Sequence, residues 1–98
     1  MRRNLERIKE AAYPYRTTEV AMLLGQRFGG PKWTIHRVAT VAAFLGVTRS
    51  ENEYHARFTL GRNVIRLYSE SFLELINRRL SQDPDLLKKA EDARRKSK

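Results

Sequence analysis

Residues 56–69 read ARFTLGRNVIRLYS, and on either side of Gly61 apolar side chains recur at every second position. Period two is the mark of a half-buried strand, and a glycine between two such runs marks a turn. A lone two-stranded ribbon is marginal in water, so other elements of the chain must cover one of its faces. Pairing the strands about the Arg62-Asn63 midpoint sets Leu60 opposite Ile65 and Phe58 opposite Leu67, which gathers all four on one face. Arg57, Thr59, Arg66 and Tyr68 then share the open face. Arg62-Asn63 is a poor type I′ pair, so Gly61 is expected to widen the loop to three or four residues.

The cover comes from short amphipathic helices. Leu5, Ile8 and Ala11/Ala12 predict a first helix capped by Asn4 and ended by Pro14. A second begins at TTEVAMLLGQRF, with Thr17 as N-cap, Glu19 in the first turn, and Val20, Leu23, Leu24 and Phe28 on one face. Gly29-Gly30-Pro31 stops it. Ile35, Val38, Ala42 and Leu45 predict a third helix with one buried stripe, ending at Gly46. VTRSENEYH has no apolar period and reads as a loop. Beyond the hairpin, Ser71 and Glu74 have capping-box spacing, and Phe72, Leu73, Ile76 and Leu80 form the apolar side. Asp83-Pro84 predicts the start of a last short helix with a thin apolar face (Leu86, Leu87, Ala90) and a frayed end. The fold class is mainly α with one β-hairpin, in the order helix, helix, helix, hairpin, helix. Residues 1–82 are expected to form the domain, and 83–98 a short helix and basic tail.

At 98 residues there is room for one core. The absence of cysteine excludes disulfides and thiolate metal sites, and two histidines are too few for a structural zinc. No apolar run approaches the roughly 18–20 residues of a membrane span, and the basic N-terminus has no apolar stretch behind it, so a cytoplasmic protein without signal peptide is expected. No phosphate loop, metal-ligand spacing or credible nucleophile–base pair is present, which makes an enzyme the weakest reading, with no cofactor and no small-molecule substrate expected. The net charge of +9 is spread over the middle and both ends and favours a polyanion through counterion release.

YRTTEVAMLLG resembles the first helix of the helix-turn-helix in excisionase-like and MerR-like winged-helix proteins, where a Thr-Thr pair precedes Glu-Val-Ala-x-Leu-Leu-Gly. GPKWTIHRV looks like the second helix of that unit, and GRNVIRLYSESFLELI resembles the returning strand of the wing and the helix after it. Together these cover Tyr15 to Leu80, about two-thirds of the chain. The nine residues QRFGGPKWT stand where that family has a tight turn. The resemblance implies duplex DNA binding, with the second helix in the major groove and the wing on the adjacent backbone. It also implies a role in transcription regulation, excision or DNA packaging.

On the third helix the buried stripe leaves Lys32, Trp33, His36, Arg37 and Thr40 for solvent, with Thr34 as N-cap, although a tryptophan such as Trp33 is more often a core or interhelix filler than a DNA contact. Arg37 fits base reading best, since its fork matches guanine O6 and N7. On the hairpin, Arg62 and Asn63 at the tip and Arg57 and Arg66 on the open face supply the long side chains a phosphate contact needs. A single short recognition helix seldom binds tightly alone, so a homodimer or a cooperative array on double-stranded DNA is expected. The rival reading is a protein–protein adaptor. RNA binding ranks below it, because the hairpin has only Tyr54 and Tyr68 to stack on bases.

Overall fold

A computed structural model describes residues 11–29 and 32–96. In chain order they form β1 (Tyr15–Arg16), α1 (Thr17–Phe28), α2 (Ile35–Phe44), a 3₁₀ turn (Val47–Arg49), β2 (His55–Leu60), β3 (Asn63–Tyr68), α3 (Glu70–Gln82) and α4 (Leu86–Lys96). The three strands make one antiparallel sheet in the order β1-β3-β2. The expected first helix falls on residues outside the described ones, apart from Ala11 and Ala12, which are helical. Of the final residues expected to fray, those up to Lys96 are helical and the last two lie outside the described ones. No helix among the described residues is long and apolar enough to cross a membrane.

The hairpin is present, with a different register. Leu60 pairs with Asn63 and Phe58 with Ile65, so Gly61-Arg62 form a two-residue turn instead of a widened loop. Gly61 has φ +63°, and among the described residues only glycines have a positive φ. This is the pattern of a type II′ turn, which takes glycine first and matches the twist of the flanking strands. The register is displaced from the expected one by two residues. A displacement of two returns every side chain to its own face, so the partition into faces survives although every partner changes.

At the base of the hairpin both faces are covered: Leu67 is buried as expected, but the side that joins the main core is the one expected to be open. Tyr68 is fully buried, its ring centroid 4.5 Å from that of Phe72, and His55 is buried beside it at 5.7 Å. Tyr68 belongs to the face expected to be open, and His55, expected in the preceding loop, is instead the first residue of β2 and pairs with it. Phe58, Ile65 and Leu67 lie on the other side, where Tyr13 and Pro14 share a cleft with them. Tyrosine is the cause: its ring is apolar and its hydroxyl polar, so period two alone cannot say which side of a sheet it serves. Toward the tip the same face emerges into solvent and carries Arg57 and Arg66, both exposed.

β1 was not foreseen, since two residues show no period. It pairs Tyr15 with Tyr68 and Arg16 with Leu67, and the Tyr15 hydroxyl donates to the Glu70 carboxylate. The N-cap of α1 is Arg16 rather than Thr17, with the Arg16 amide donating to Glu19 at 3.3 Å. The N-cap of α3 is Ser69 rather than Ser71. Its hydroxyl accepts from the Phe72 amide at 3.3 Å and donates to the Glu53 carbonyl at 2.7 Å. Ser69→Ala should therefore cost about 1–2 kcal/mol, read as a lower urea midpoint with unchanged slope.

One core joins all four helices: Val20 and Leu24 of α1, Val38, Val41 and Ala42 of α2, Phe72, Leu73, Ile76 and Leu80 of α3, and Leu86 and Ala90 of α4. The α3 residues are the four that helical spacing predicts. α4 begins two residues later than Asp83-Pro84 suggested, because the Asp83 side chain accepts the Asp85 amide and holds a turn before the helix. The loop before β2 is built rather than irregular. Asn52 accepts from the amides of Tyr54 and His55 and donates to the carbonyls of Val47 and Ser50.

Burial pushes the His55 imidazole below its ordinary pKa, and Arg66 and Arg57 act in the same direction against the Ser50 carbonyl and Glu51. The unfolded chain then takes up the proton first as pH falls. The stability that rests on neutral His55 is fully present above about pH 6.5 and is lost as pH drops below it, toward the depressed folded value. Urea unfolding at stepped pH should show this loss between pH 7 and 5, and His55→Phe should flatten it.

Candidate nucleic-acid interface

α2 starts at Thr34, whose hydroxyl accepts the Arg37 amide at 3.3 Å, so the N-cap falls where the spacing placed it. The buried stripe keeps Val38 and Ala42 as expected but is shifted around the helix. Val41, which the predicted stripe omitted, is fully buried with Val38 and Ala42. This turns the buried side away from Ile35, which is 46% exposed. Gly46, at φ +76°, closes the helix end in the left-handed conformation that a side chain would resist.

Two of the residues expected at the surface are buried. Trp33 fills the space between the end of α1 and the start of α4, sharing a cleft with Phe28, Leu80 and Leu87, because its ring area is worth more in the core than in water. Thr40 is covered by α4: its hydroxyl donates to the His36 carbonyl at 2.7 Å and accepts from Arg94 Nη1 at 2.9 Å. Thr40 is thus an anchor for an arginine and not itself an exposed contact. Lys32, Thr34 and His36 are exposed, and Arg37 is half-buried. Arg37 donates one guanidinium N–H to the Lys32 carbonyl at 2.6 Å, which holds it at the N-terminal end of α2.

The packing of α4 along α2 gathers charge that the sequence keeps far apart. Arg94 and Arg95 come beside Thr34, His36 and Arg37 around a cleft of about 410 Å³, with Glu91 as its one acid. Arg95 also meets Asp92 at 3.3 Å, an exposed pair of the kind worth little. A second cleft, of about 550 Å³, lies between α2, α4 and the hairpin. Ala39, Ala43 and Phe44 line it from α2, and Arg49, Arg66 and Arg94 bring cations from the 3₁₀ turn, β3 and α4. Arg94 belongs to both clefts.

The hairpin arginines divide. Arg66 reaches the second cleft. Arg57 lies on the same face, with its amide donating to Glu51 at 3.0 Å and its guanidinium to the Thr48 carbonyl at 3.3 Å. Arg62 and Asn63 are exposed at the tip and line neither cleft. Sequence reasoning left Arg49 out and treated Arg94 and Arg95 as tail charge. Leu86 and Ala90, one helical turn apart, are the signal that α4 docks and carries Arg94 inward; nothing local marks Arg49.

Such an arrangement suits phosphates, which several fixed cations can hold at once. Among the described residues no cluster of three or more His, Asp or Glu side chains could hold a metal. Compared with known proteins, the chain matches no family model, no curated protein and no solved structure.

Proposed function

We infer that the chain binds duplex DNA as a winged helix-turn-helix protein, with α1 and α2 as the helix-turn-helix, α2 as recognition helix and the β2–β3 hairpin as wing. One observation carries this reading: arginines from α2, the 3₁₀ turn, β3 and α4 surround the exposed side of a single short helix. A net charge of +9 supplies the long-range field. Regulation of transcription is the leading role, with excision or packaging accessory functions beside it, and a dimer or cooperative array would make up the affinity one domain lacks.

Titrating a labelled random-sequence duplex with protein, followed by fluorescence anisotropy between about 50 and 200 mM salt, tests the class. Affinity should fall roughly 10³-fold if about six phosphates are neutralised. No binding at the low-salt end would rule the class out. On a selected site, Arg37→Ala should cost about 1–3 kcal/mol and on random DNA little, whereas Arg62→Ala should weaken both alike. Equal small effects would remove the assignment of recognition helix and wing.

The second reading is a protein-interaction adaptor. Exposed Ile35, Phe44 and Val64 favour it. An adaptor would keep its activity when Arg37 and Arg62 are neutralised.

A further inference from the structure

The open side of α2 is apolar where a DNA reader is usually polar. Ile35, Ala39 and Ala43 follow one another at intervals of about one helical turn and so line up along the helix. Ile35 and Ala43 are exposed and Ala39 is half-buried. His36 is the one exposed polar side chain on the helix, and the helix holds no acid. Arg37, the other donor, already gives one N–H to the Lys32 carbonyl. Hydrogen-bond donors for base edges are therefore scarce here, while apolar surface is not.

The borders of this stripe are cationic. Arg49, Arg66 and Arg94 share a cleft with Ala39 and Ala43, and Arg94 and Arg95 share the neighbouring one with His36. Five arginines line the two clefts against one acid, Glu91, and that cationic excess favours a polyanion over an apolar protein face. The major groove of duplex DNA has the complementary layout: phosphates along both edges and, wherever thymine occurs, a C5 methyl group on the floor. Short alanine side chains let the helix backbone come close to that floor.

We propose that α2 reads thymine C5 methyl groups, with Ile35, Ala39 and Ala43 against the methyls while the bordering arginines hold the phosphates. The proposal rests on the duplex-binding reading above and adds to it a base preference. Discrimination on this face comes from removing methyl groups from water.

Replacing thymine by uracil deletes the methyl and leaves the hydrogen-bonding edge and the phosphates unchanged, so it isolates the contact. The full chain is titrated against one labelled A·T-rich duplex in two forms, with thymine or with uracil. Each methyl buried is worth roughly fourfold in Kd, so losing two or three should weaken binding by more than about tenfold, with the salt dependence unaltered. In a G·C-rich duplex, 5-methylcytosine places a methyl on the same groove floor and should strengthen binding over cytosine. Ile35→Ala, at an exposed position, should shrink the thymine-to-uracil ratio and leave the salt slope alone.

Equal affinity for the thymine and uracil duplexes, with a normal salt slope, overturns the methyl contact and leaves duplex binding standing. Failure to bind either duplex overturns both. If the chain then self-associates in sedimentation and Ile35→Glu returns it to monomer, the stripe is a seam between two copies.

Discussion

Phe72→Ala should destabilise the fold by about 3–5 kcal/mol, a large share of the roughly 5–15 kcal/mol that holds a domain together. Phe72 is fully buried in the first turn of α3, immediately after the Ser69 cap, and its ring packs 4.5 Å from Tyr68 at a 30° tilt. Truncation removes the transfer energy of the ring, leaves a cavity the surrounding valines and leucines fill only in part, and deletes an aromatic pair. That pair is what seats the hairpin on the helices, so the loss falls where the sheet joins the core. Urea unfolding followed by circular dichroism measures it. Phe72→Leu should cost markedly less, since most of the volume stays. A loss under about 1 kcal/mol for alanine would mean that the ring is not a core residue.

Neutralising Arg66 and Arg94 together should weaken duplex binding about a hundredfold at about 0.1 M salt. Each lost phosphate contact lowers the salt slope by about 0.9, which at that concentration is close to tenfold in affinity. The two arginines come from β3 and α4 and meet at the same cleft beside α2. Removing them should leave the fold intact. Both are exposed, and the Thr40 hydroxyl that Arg94 meets still donates to the His36 carbonyl. The readout is anisotropy at several salt concentrations, with urea unfolding as control. A salt slope equal to that of the unsubstituted chain would show that no phosphate meets this cleft.

The periodic parts of the fold were legible before any coordinates. Phe72, Leu73, Ile76 and Leu80 step by helical intervals and all four are buried. The hairpin and the membership of its two faces followed from period two. What escaped depended on contacts that local sequence does not record. The register of the hairpin was decided by the backbone preference of Gly61 and not by the apolar pattern, because two registers two residues apart satisfy that pattern equally. The side facing the core was decided by Tyr68, whose ring and hydroxyl point to opposite conclusions. Val41 in place of Ile35 came from where α1, α3 and α4 sit around α2.

The candidate site divides along the same line. Arg37 and Arg66 stand within elements whose outline the sequence showed. Arg49, Arg94 and Arg95 reach the site only because α4 and the 3₁₀ turn both pack against α2. Trp33 and Thr40, placed at the surface by helix spacing, are covered by those same contacts.

The docking of α4 through Leu86 and Ala90 has a consequence for how tightly the surface can hold anything. Leu86 and Ala90, with the half-buried Leu87 and the Arg94–Thr40 hydrogen bond, hold α4 in place, and a helix held by so few contacts can open locally without the whole domain unfolding. Each opening carries Arg94 and Arg95 away from α2. Occupancy by a polyanion and closure of α4 are then one linked equilibrium: a ligand that needs those arginines draws the helix shut, and part of its binding energy is consumed in doing so. Affinity becomes adjustable from the far side of the molecule, by anything that strengthens or loosens the seat of Leu86.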